Sequence, residues 1–318
     1  MPHHSHGYSF CLILCRGDFS QRDYNLSMTE HLLPSQNQLG EGPLWDHRQQ
    51  TLYWVDIARS MVLSYHPASG ERSIFVFNEK MTALGLRARG GFVAAVRNGF
   101  AFWNGDSVEL DSAAPVEDEP PDNRFNDGAV DPGGRFWAGT MFAGPVLQPV
   151  SPGSLYRLDA ALSVKCMQGG LTISNGIGWS PDNRTMYLTD TLRRLIYSYE
   201  FDLSSGEIAN RRIFTTVPEE AGVPDGLTVD SEGCLWSACW GGWRLRRYDP
   251  QGSLEREVRL PVECPTSCTF GGESLNLLYI TSAWIDLYPA QRKKQPWAGD
   301  VFCLEPGVKG LPANLFAG

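Results

Sequence analysis

No stretch of this sequence reaches the roughly 20 consecutive apolar residues that a membrane-spanning helix requires. The longest apolar run near its beginning, residues 8–15, has neither the basic start nor the long apolar centre of a secretory signal. A sustained helical periodicity of apolar residues is missing as well. These absences predict a β-rich, cytoplasmic protein without a membrane partner.

Positive charge is also scarce, because 27 Lys and Arg residues stand against 36 Asp and Glu residues and give a net charge of −9. A nucleic-acid partner is therefore not expected, since binding a phosphate backbone needs a basic face. The chain lacks a Gly-rich phosphate loop and the Gly-x-Ser-x-Gly context of a serine hydrolase. Its eight cysteines contain no second pair at zinc-ribbon spacing, which favours buried thiols in a reducing compartment.

The sequence consists instead of short β-segments that repeat. Aromatic and β-branched segments recur about every 40–50 residues, which is the period of propeller blades rather than of helical arrays. The six strongest segments are residues 52–57, 92–96, 136–140, 186–190, 235–239 and 278–282. Further strands and tight turns rich in Gly, Pro, Asn and Asp follow them. The pattern predicts an all-β fold, a six-bladed β-propeller with four antiparallel strands per blade.

Oxygen-bearing side chains share one position in these repeats. With the units aligned on their strongest strands, this ring position holds Glu41, Thr82, Asn126, Asn175, Asp225 and Thr266. Because the inner strands of a propeller converge on its axis, we expect these side chains to form a ring at one mouth of the channel. Carboxylate and amide oxygens suit a hard divalent cation. The alternative is that the Asn-Gly and Asp-Gly dipeptides are only hairpin turns.

Several segments also match a family signature. They are GEGP at 40–43, LYWVDI at 52–57, RFNDG at 124–128, GRFWAGTM at 134–141, ISNG at 173–176, PDG at 224–226 and LWSACW at 235–240. Through these segments, from about residue 36 to the end, the chain resembles the SMP-30/gluconolactonase/luciferin-regenerating-enzyme family. The resemblance implies a six-bladed propeller that binds one divalent cation and hydrolyses sugar lactones to aldonic acids.

The resemblance also assigns roles to single residues. It implies that Glu41, Asn175 and Asp225 bind the cation. Arg124 and Asn126 match positions that hold the substrate's hydroxyl groups or a water molecule on the cation. The identity of the cation stays open, since these oxygens accept calcium, magnesium, manganese or zinc.

The sequence departs from the family after the Gly-Thr-Met segment, where several members carry acidic residues that shape the sugar pocket. Here Met141 is followed by Phe-Ala-Gly-Pro. We therefore expect a pocket wall that is more apolar or more open, which leaves the sugar undetermined. Other lactones or phosphotriesters remain alternative substrates, and a non-catalytic cation-binding propeller remains an alternative function, because a fold alone does not give an activity.

Opening a lactone needs stabilisation of negative charge on the carbonyl oxygen and an activated water molecule. Asp225 is predicted to be the general base as well as a ligand. The alternative is that the cation alone activates the water, because a carboxylate that touches a cation has a lowered pKa. Asn126 would position the water, and Arg124 would bind sugar hydroxyls or the developing oxyanion. Asp127 is predicted to accept hydrogen bonds from backbone amides rather than to bind the cation.

The propeller is predicted to span residues 36–318, with 1–35 as an N-terminal extension that is flexible or peripheral. Residues 36–39 and residues 311–316 are both candidates for completing the last blade. The expected partner is a small-molecule sugar lactone, and the expected assembly is a monomer or a weak homodimer.

Overall fold

The computed structural model describes residues 29–144 and 151–318 of the chain. These residues form six antiparallel sheets of four strands, one of which gains a fifth strand. The innermost strand of every sheet contacts the innermost strands of its two neighbours, so the sheets close into a ring around an axis. The six-bladed β-propeller predicted from the repeat is therefore confirmed.

The blades are numbered along the chain, and the strands of each blade are given from the axis outward. Blades 1 to 3 consist of Gly40–Asp46, Thr51–Asp56, Met61–His66 and Glu71–Val76; Met81–Arg87, Phe92–Val96, Gly99–Trp103 and Asp111–Pro115; and Asn123–Val130, Phe136–Phe142, Gly153–Leu158 and Val164–Leu171. Blades 4 to 6 consist of Ser174–Trp179, Thr185–Asp190, Leu195–Phe201 and Ile208–Thr216; Val223–Val229, Leu235–Trp240, Arg244–Tyr248 and Leu254–Arg259; and Pro265–Gly271, Leu277–Ser282, Val301–Leu304 and Glu30–Leu33.

Helices are short and lie in the connections. Three 3-10 turns span Ile57–Arg59, Thr191–Arg193 and Glu219–Ala221, and an α-helix spans Pro289–Lys294. In the described part of the chain, no helix has the length and apolar character needed to cross a bilayer.

The N-terminal side of the chain closes the ring. Glu30–Leu33 pairs antiparallel with Val301–Leu304 and becomes the outermost strand of blade 6. On this strand, His31 Nε2 lies 2.7 Å from Asp300 Oδ2. The predicted boundary at residue 36 is therefore wrong for residues 30–33, which belong to the propeller. Residues 1–28 of the predicted extension lie outside the described residues.

The two segments predicted to complete the last blade have other roles. Leu39, in the first of them, makes a single bridge to Ala283. Leu315–Phe316, in the second, pairs in parallel with the far end of Met81–Arg87 and adds a fifth strand to blade 2. Residues 311–314 line the central channel, whose volume is about 200 Å³. The C-terminal residues thus cross the end of the channel that is opposite to the ring position.

Apolar side chains pack between neighbouring blades. Trp137 and Trp236, on the second strands of blades 3 and 5, are fully buried. Each donates its indole N–H to the aspartate of the preceding turn, Asp131 or Asp230, with an Nε1–Oδ2 distance of 2.9 Å. The same hydrogen bond therefore ties turn to strand in two blades, and it supports the inner strands that carry the ring position.

Candidate metal centre

The ring position predicted from the repeats coincides with an irregularity in every inner strand. Pairing with the second strand shifts register between residues 41 and 44, 81 and 83, 125 and 128, 174 and 177, 224 and 227, and 265 and 267. Such a bulge leaves residues unpaired and re-aims their side chains. Five of the ring residues lie within the irregularity, and Glu41, which pairs with Val55, lies at its edge. All six residues of the ring position are buried. The bulges therefore explain why residues that are far apart in the sequence share one site.

Glycine lets neighbouring inner strands approach each other next to the ring position. A Cβ atom on Gly176 would lie 2.6 Å from the backbone nitrogen of Leu227 and 2.8 Å from the carbonyl oxygen of Asp225. The dipeptides 175–176 and 225–226 lie inside Ser174–Trp179 and Val223–Val229, so the alternative that they are hairpin turns is wrong. The glycines bring blade 4 and blade 5 together beside Asp225.

Four side chains form a directed chain of hydrogen bonds across the mouth of the channel. Arg124 Nη1 donates to Asn126 Oδ1 at 2.9 Å, and Asn126 Nδ2 donates to Asn175 Oδ1 at 3.0 Å. Asn175 Nδ2 in turn donates to Thr191 Oγ1 at 3.0 Å. Because every donor points in the same direction, the orientation of both amides is defined. An amide oxygen has two lone pairs, so Asn175 Oδ1 keeps one for a cation.

Three buried carboxyl groups beside these amides influence one another electrostatically. Burial raises the pKa of Glu41 well above its usual value, and the charges of Asp225 and Asp127 raise it further. Burial, followed by the charge of Asp127, likewise raises the pKa of Asp225. Burial raises the pKa of Asp127 to about 6. Arg124 opposes this excess of negative charge by lowering the pKa of Glu41.

This arrangement fits a divalent cation. Asp225 is only 4% exposed, and its Oδ1 atom has no hydrogen-bond partner among the described residues. Buried polar atoms are normally satisfied, so an orphaned carboxylate oxygen suggests a ligand or a catalytic role. Carboxylate and amide oxygens are hard donors that suit such an ion. Glu41, Asn175 and Asp225 are the residues that could hold it.

The remaining ring residues use their oxygens within the fold. Thr266 Oγ1 donates to the backbone oxygen of Gly40 at 2.5 Å, and Thr82 Oγ1 donates to that of Ala95 at 3.4 Å. Asp127 Oδ1 accepts from the backbone nitrogen of Gly128 at 2.7 Å, which is the amide contact predicted for it. Thr266 thus joins blade 6 to blade 1, and Thr82 bonds within blade 2. Asp127, which follows the ring position, adds negative charge to the site.

A second acidic cluster, in blade 5, has an internal counter-ion. Ligand atoms of Asp230, Glu232 and Cys234 lie within 4.8 Å of one another. The guanidinium of Arg247 lies 2.8 Å from Asp230 Oδ2 and 2.6 Å from Glu232 Oε2. Asp230 also accepts hydrogen bonds from Trp236 and from backbone amides. The guanidinium of Arg247 therefore neutralises this cluster and occupies the position in which a metal cation would bind.

This sequence departs from the family pattern just after Met141. Met141 lies directly opposite Arg124 in the strand pair and is half-buried. Phe142 is buried and belongs to the strand Phe136–Phe142. An apolar side chain therefore stands beside Arg124, in line with the predicted apolar wall. Residues 145–150, which include Pro145, lie outside the described residues.

Sequence reasoning missed Thr191 and underrated Asp127. Thr191 is absent from the repeat alignment because it follows the second strand of blade 4, and its contact with Asn175 is visible only in three dimensions. Asp127 did leave a signal in the sequence. It occupies the position after the ring residue, where blades 1, 4 and 5 have Gly42, Gly176 and Gly226.

Stabilisation by an added divalent cation should grow with pH. The folded-state pKa values of the three carboxyls are raised, so the cation-free fold binds more protons than the unfolded chain. The stability that the protonated carboxyls give to the cation-free fold is full below about pH 4. It is lost as the pH rises, for Asp127 through about pH 6. A cation needs the ionised carboxylates, so its binding strengthens over the same interval. The increase in melting temperature on adding calcium should therefore be larger at about pH 8 than at about pH 5. Equal increases would contradict a site built from these carboxyls.

The chain has clear relatives among known proteins. The profile of the SMP-30/gluconolactonase/LRE-like region matches residues 39–284. Regucalcin from Oryctolagus cuniculus is 37% identical over 293 residues, which cover 91% of this chain and 98% of that protein. Regucalcin from Homo sapiens is 35% identical over the same shares of both chains.

Solved structures agree with this similarity. A luciferin-regenerating enzyme superposes with a TM-score of 0.86 at 33% identity, covering 92% of this chain and all of the other. A calcium-binding protein, regucalcin, from Agrobacterium tumefaciens superposes with a TM-score of 0.86 at 28% identity, covering 91% of this chain and 97% of that one. The chain belongs to the SMP-30/gluconolactonase/LRE-like family.

Proposed function

We propose that this protein is a metal-dependent hydrolase that opens a sugar lactone of the gluconolactone type to the aldonic acid. The observation that carries the proposal is the buried group of three carboxyls at the channel mouth, where Asp225 Oδ1 has no partner among the described residues. Leaving a buried carboxylate oxygen without a partner is costly in a purely structural ion-pair site. The gluconolactonases included in the family's name support the same chemistry.

Glu41, Asn175 and Asp225 are the proposed ligands of one divalent cation. When bound, such a cation polarises the lactone carbonyl and acidifies a water molecule. Calcium, magnesium, manganese and zinc are the candidates, because all of them accept carboxylate and amide oxygens. The bulges and the chain of hydrogen bonds from Arg124 through Asn126 and Asn175 to Thr191, called the amide chain below, position these residues in the absence of the ion. Less side-chain entropy is then lost when the ion binds.

Asp225 is the proposed general base. Its orphaned Oδ1 can accept a proton from the attacking water, while the water oxygen bonds to the carbonyl carbon of the lactone. The ring C–O bond then breaks, and the departing ring oxygen takes the proton from Asp225. One water molecule is consumed, a hydroxy acid is released, and the carboxylate of Asp225 is regenerated.

Arg124 and Asn126 are the proposed substrate-binding residues. Within the described residues, the hydrogen bonds of Arg124 go through Nη1, to the backbone oxygen of Phe125 and to Asn126 Oδ1. Its Nη2 and Nε donors can therefore reach hydroxyl groups or the oxyanion of the substrate. Met141 beside Arg124 offers an apolar contact, which favours a substrate with fewer polar groups on that side.

Treatment with a chelator should abolish hydrolysis of gluconolactone, and adding back a divalent metal should restore it. The control is the same chelator saturated with the metal under test, which cannot remove that metal from the enzyme. Activity should be measured as acid release, with each of calcium, magnesium, manganese and zinc added in turn. Unchanged activity after complete metal removal would contradict the proposed chemistry.

Calcium binding without catalysis is the second candidate function. It is favoured by the structural similarity to a calcium-binding protein, regucalcin. A panel of aldonolactones, aliphatic lactones and aryl phosphotriesters, assayed with calcium present, separates the two. Turnover of any of these compounds that Asp225→Ala abolishes supports an enzyme and also defines its substrate class.

A further inference from the structure

The last member of the amide chain, Thr191, has no role in the function proposed so far. It begins the 3-10 turn Thr191–Arg193, immediately after the strand Thr185–Asp190. Its backbone nitrogen donates to the carbonyl oxygen of Ile173 at 3.1 Å, and its side chain is buried. The hydroxyl oxygen, 3.0 Å from Asn175 Nδ2, is therefore a fixed acceptor.

A carboxamide can offer its oxygen to a cation only if its nitrogen is directed elsewhere. Turning the Asn175 amide over would place its NH2 group against the NH2 group of Asn126. Asn126 cannot turn in response, because its NH2 group also donates to the backbone oxygen of Ser174 at 3.1 Å, and a carbonyl only accepts. The NH2 group of Asn126 thus fixes the position of the Asn175 oxygen. The hydroxyl of Thr191 accepts the hydrogen bond from the Asn175 nitrogen.

We propose that Thr191 is a positioning residue that holds the Asn175 carboxamide with its oxygen directed at the cation. The inference rests on the proposed function, which assigns the cation to Asn175. Asn175 is 4% exposed, so water cannot readily replace a lost acceptor. Without the hydroxyl, its N–H group is left buried and unpaired, and rotating the side chain to find another acceptor moves Oδ1 away from the ion.

The test compares Thr191→Val, which removes the hydroxyl at nearly constant volume, with Thr191→Ser, which keeps it. Thr189→Val is a matched control, because Thr189 lies two residues earlier, is fully buried and has a hydroxyl without a partner among the described residues. Affinity for calcium is measured by calorimetry on metal-stripped protein, with magnesium, manganese or zinc alone in its place if the parent binds no calcium. Thr191→Val should weaken binding by about 10- to 100-fold, the usual effect of losing a partner of a metal ligand. Thr191→Ser and Thr189→Val should bind calcium like the parent protein.

Calcium affinity that is unchanged in Thr191→Val would overturn the inference. Equal losses in Thr191→Val and Thr191→Ser, or in Thr191→Val and Thr189→Val, would also overturn it, because the hydroxyl of Thr191 would then not be the cause. The proposed function fails in a different way, when the parent binds calcium with this ranking of variants but hydrolyses no lactone. A parent that binds none of the four candidate cations overturns both.

Discussion

Replacing Asp225 by asparagine should lower lactone hydrolysis about a thousandfold, the middle of the range for losing a general base, and should stabilise the cation-free protein. The amide has nearly the same shape but cannot accept the proton of the attacking water. The gain in stability follows because burial and the charge of Asp127 raise the pKa of Asp225, so ionisation at neutral pH is unfavourable in the fold. Turnover is measured with saturating calcium, and the melting temperature is measured in chelator.

Asp127→Asn is the matched control for this variant. It relieves the same crowding of charge and should also stabilise the cation-free protein, because burial raises the pKa of Asp127 to about 6. Its carboxylate accepts from the backbone of Gly128, so the loss of turnover should stay below about tenfold. Equal losses in the two variants would assign the effect to charge alone. Asp225→Asn protein that keeps more than about a tenth of the activity would exclude Asp225 as the base.

The propeller and the ring position were predictable because the same local sequence pattern occurs in each repeat. Each unit carries the same β-segments and turns, so one period fixes six blades. Within the ring, Asn175 and Asp225 keep their register because the bulge falls at the same place in their two inner strands. Alignment of the repeats in the sequence therefore predicted residues that the fold buries together, such as Asn126 and Asn175.

Features that depend on contacts between distant segments were not predictable in this way. Glu30–Leu33 has no repeat partner, and its pairing with Val301–Leu304 is decided by the open edge that blade 6 leaves. The electrostatic role of Asp127 depends on burial beside Glu41 and Asp225, which belong to other blades. Thr191 meets Asn175 only because the end of one strand lies beside the bulge of another.

Replacing Arg124 by lysine should lower kcat/KM for a sugar lactone about a hundredfold, which is typical of losing an oriented donor at a developing charge. Burial lowers the pKa of Arg124 to about 10, and Glu41 opposes that shift, so the guanidinium stays charged at neutral pH. Lysine keeps the charge but lacks the planar fork that lets arginine hold Phe125 and Asn126 while donating to a substrate.

Calcium affinity should change little in Arg124→Lys, because the positive charge remains and Asn126 is still held by the backbone oxygen of Ser174. Arg247→Lys is the matched control: it alters another buried arginine, paired with Asp230 and Glu232, and should lower the melting temperature without affecting turnover. Steady-state kinetics and calorimetric titration of the three proteins separate the contributions. A parallel loss of calcium binding and turnover in Arg124→Lys would mean that Arg124 supports the metal site and does not bind the substrate.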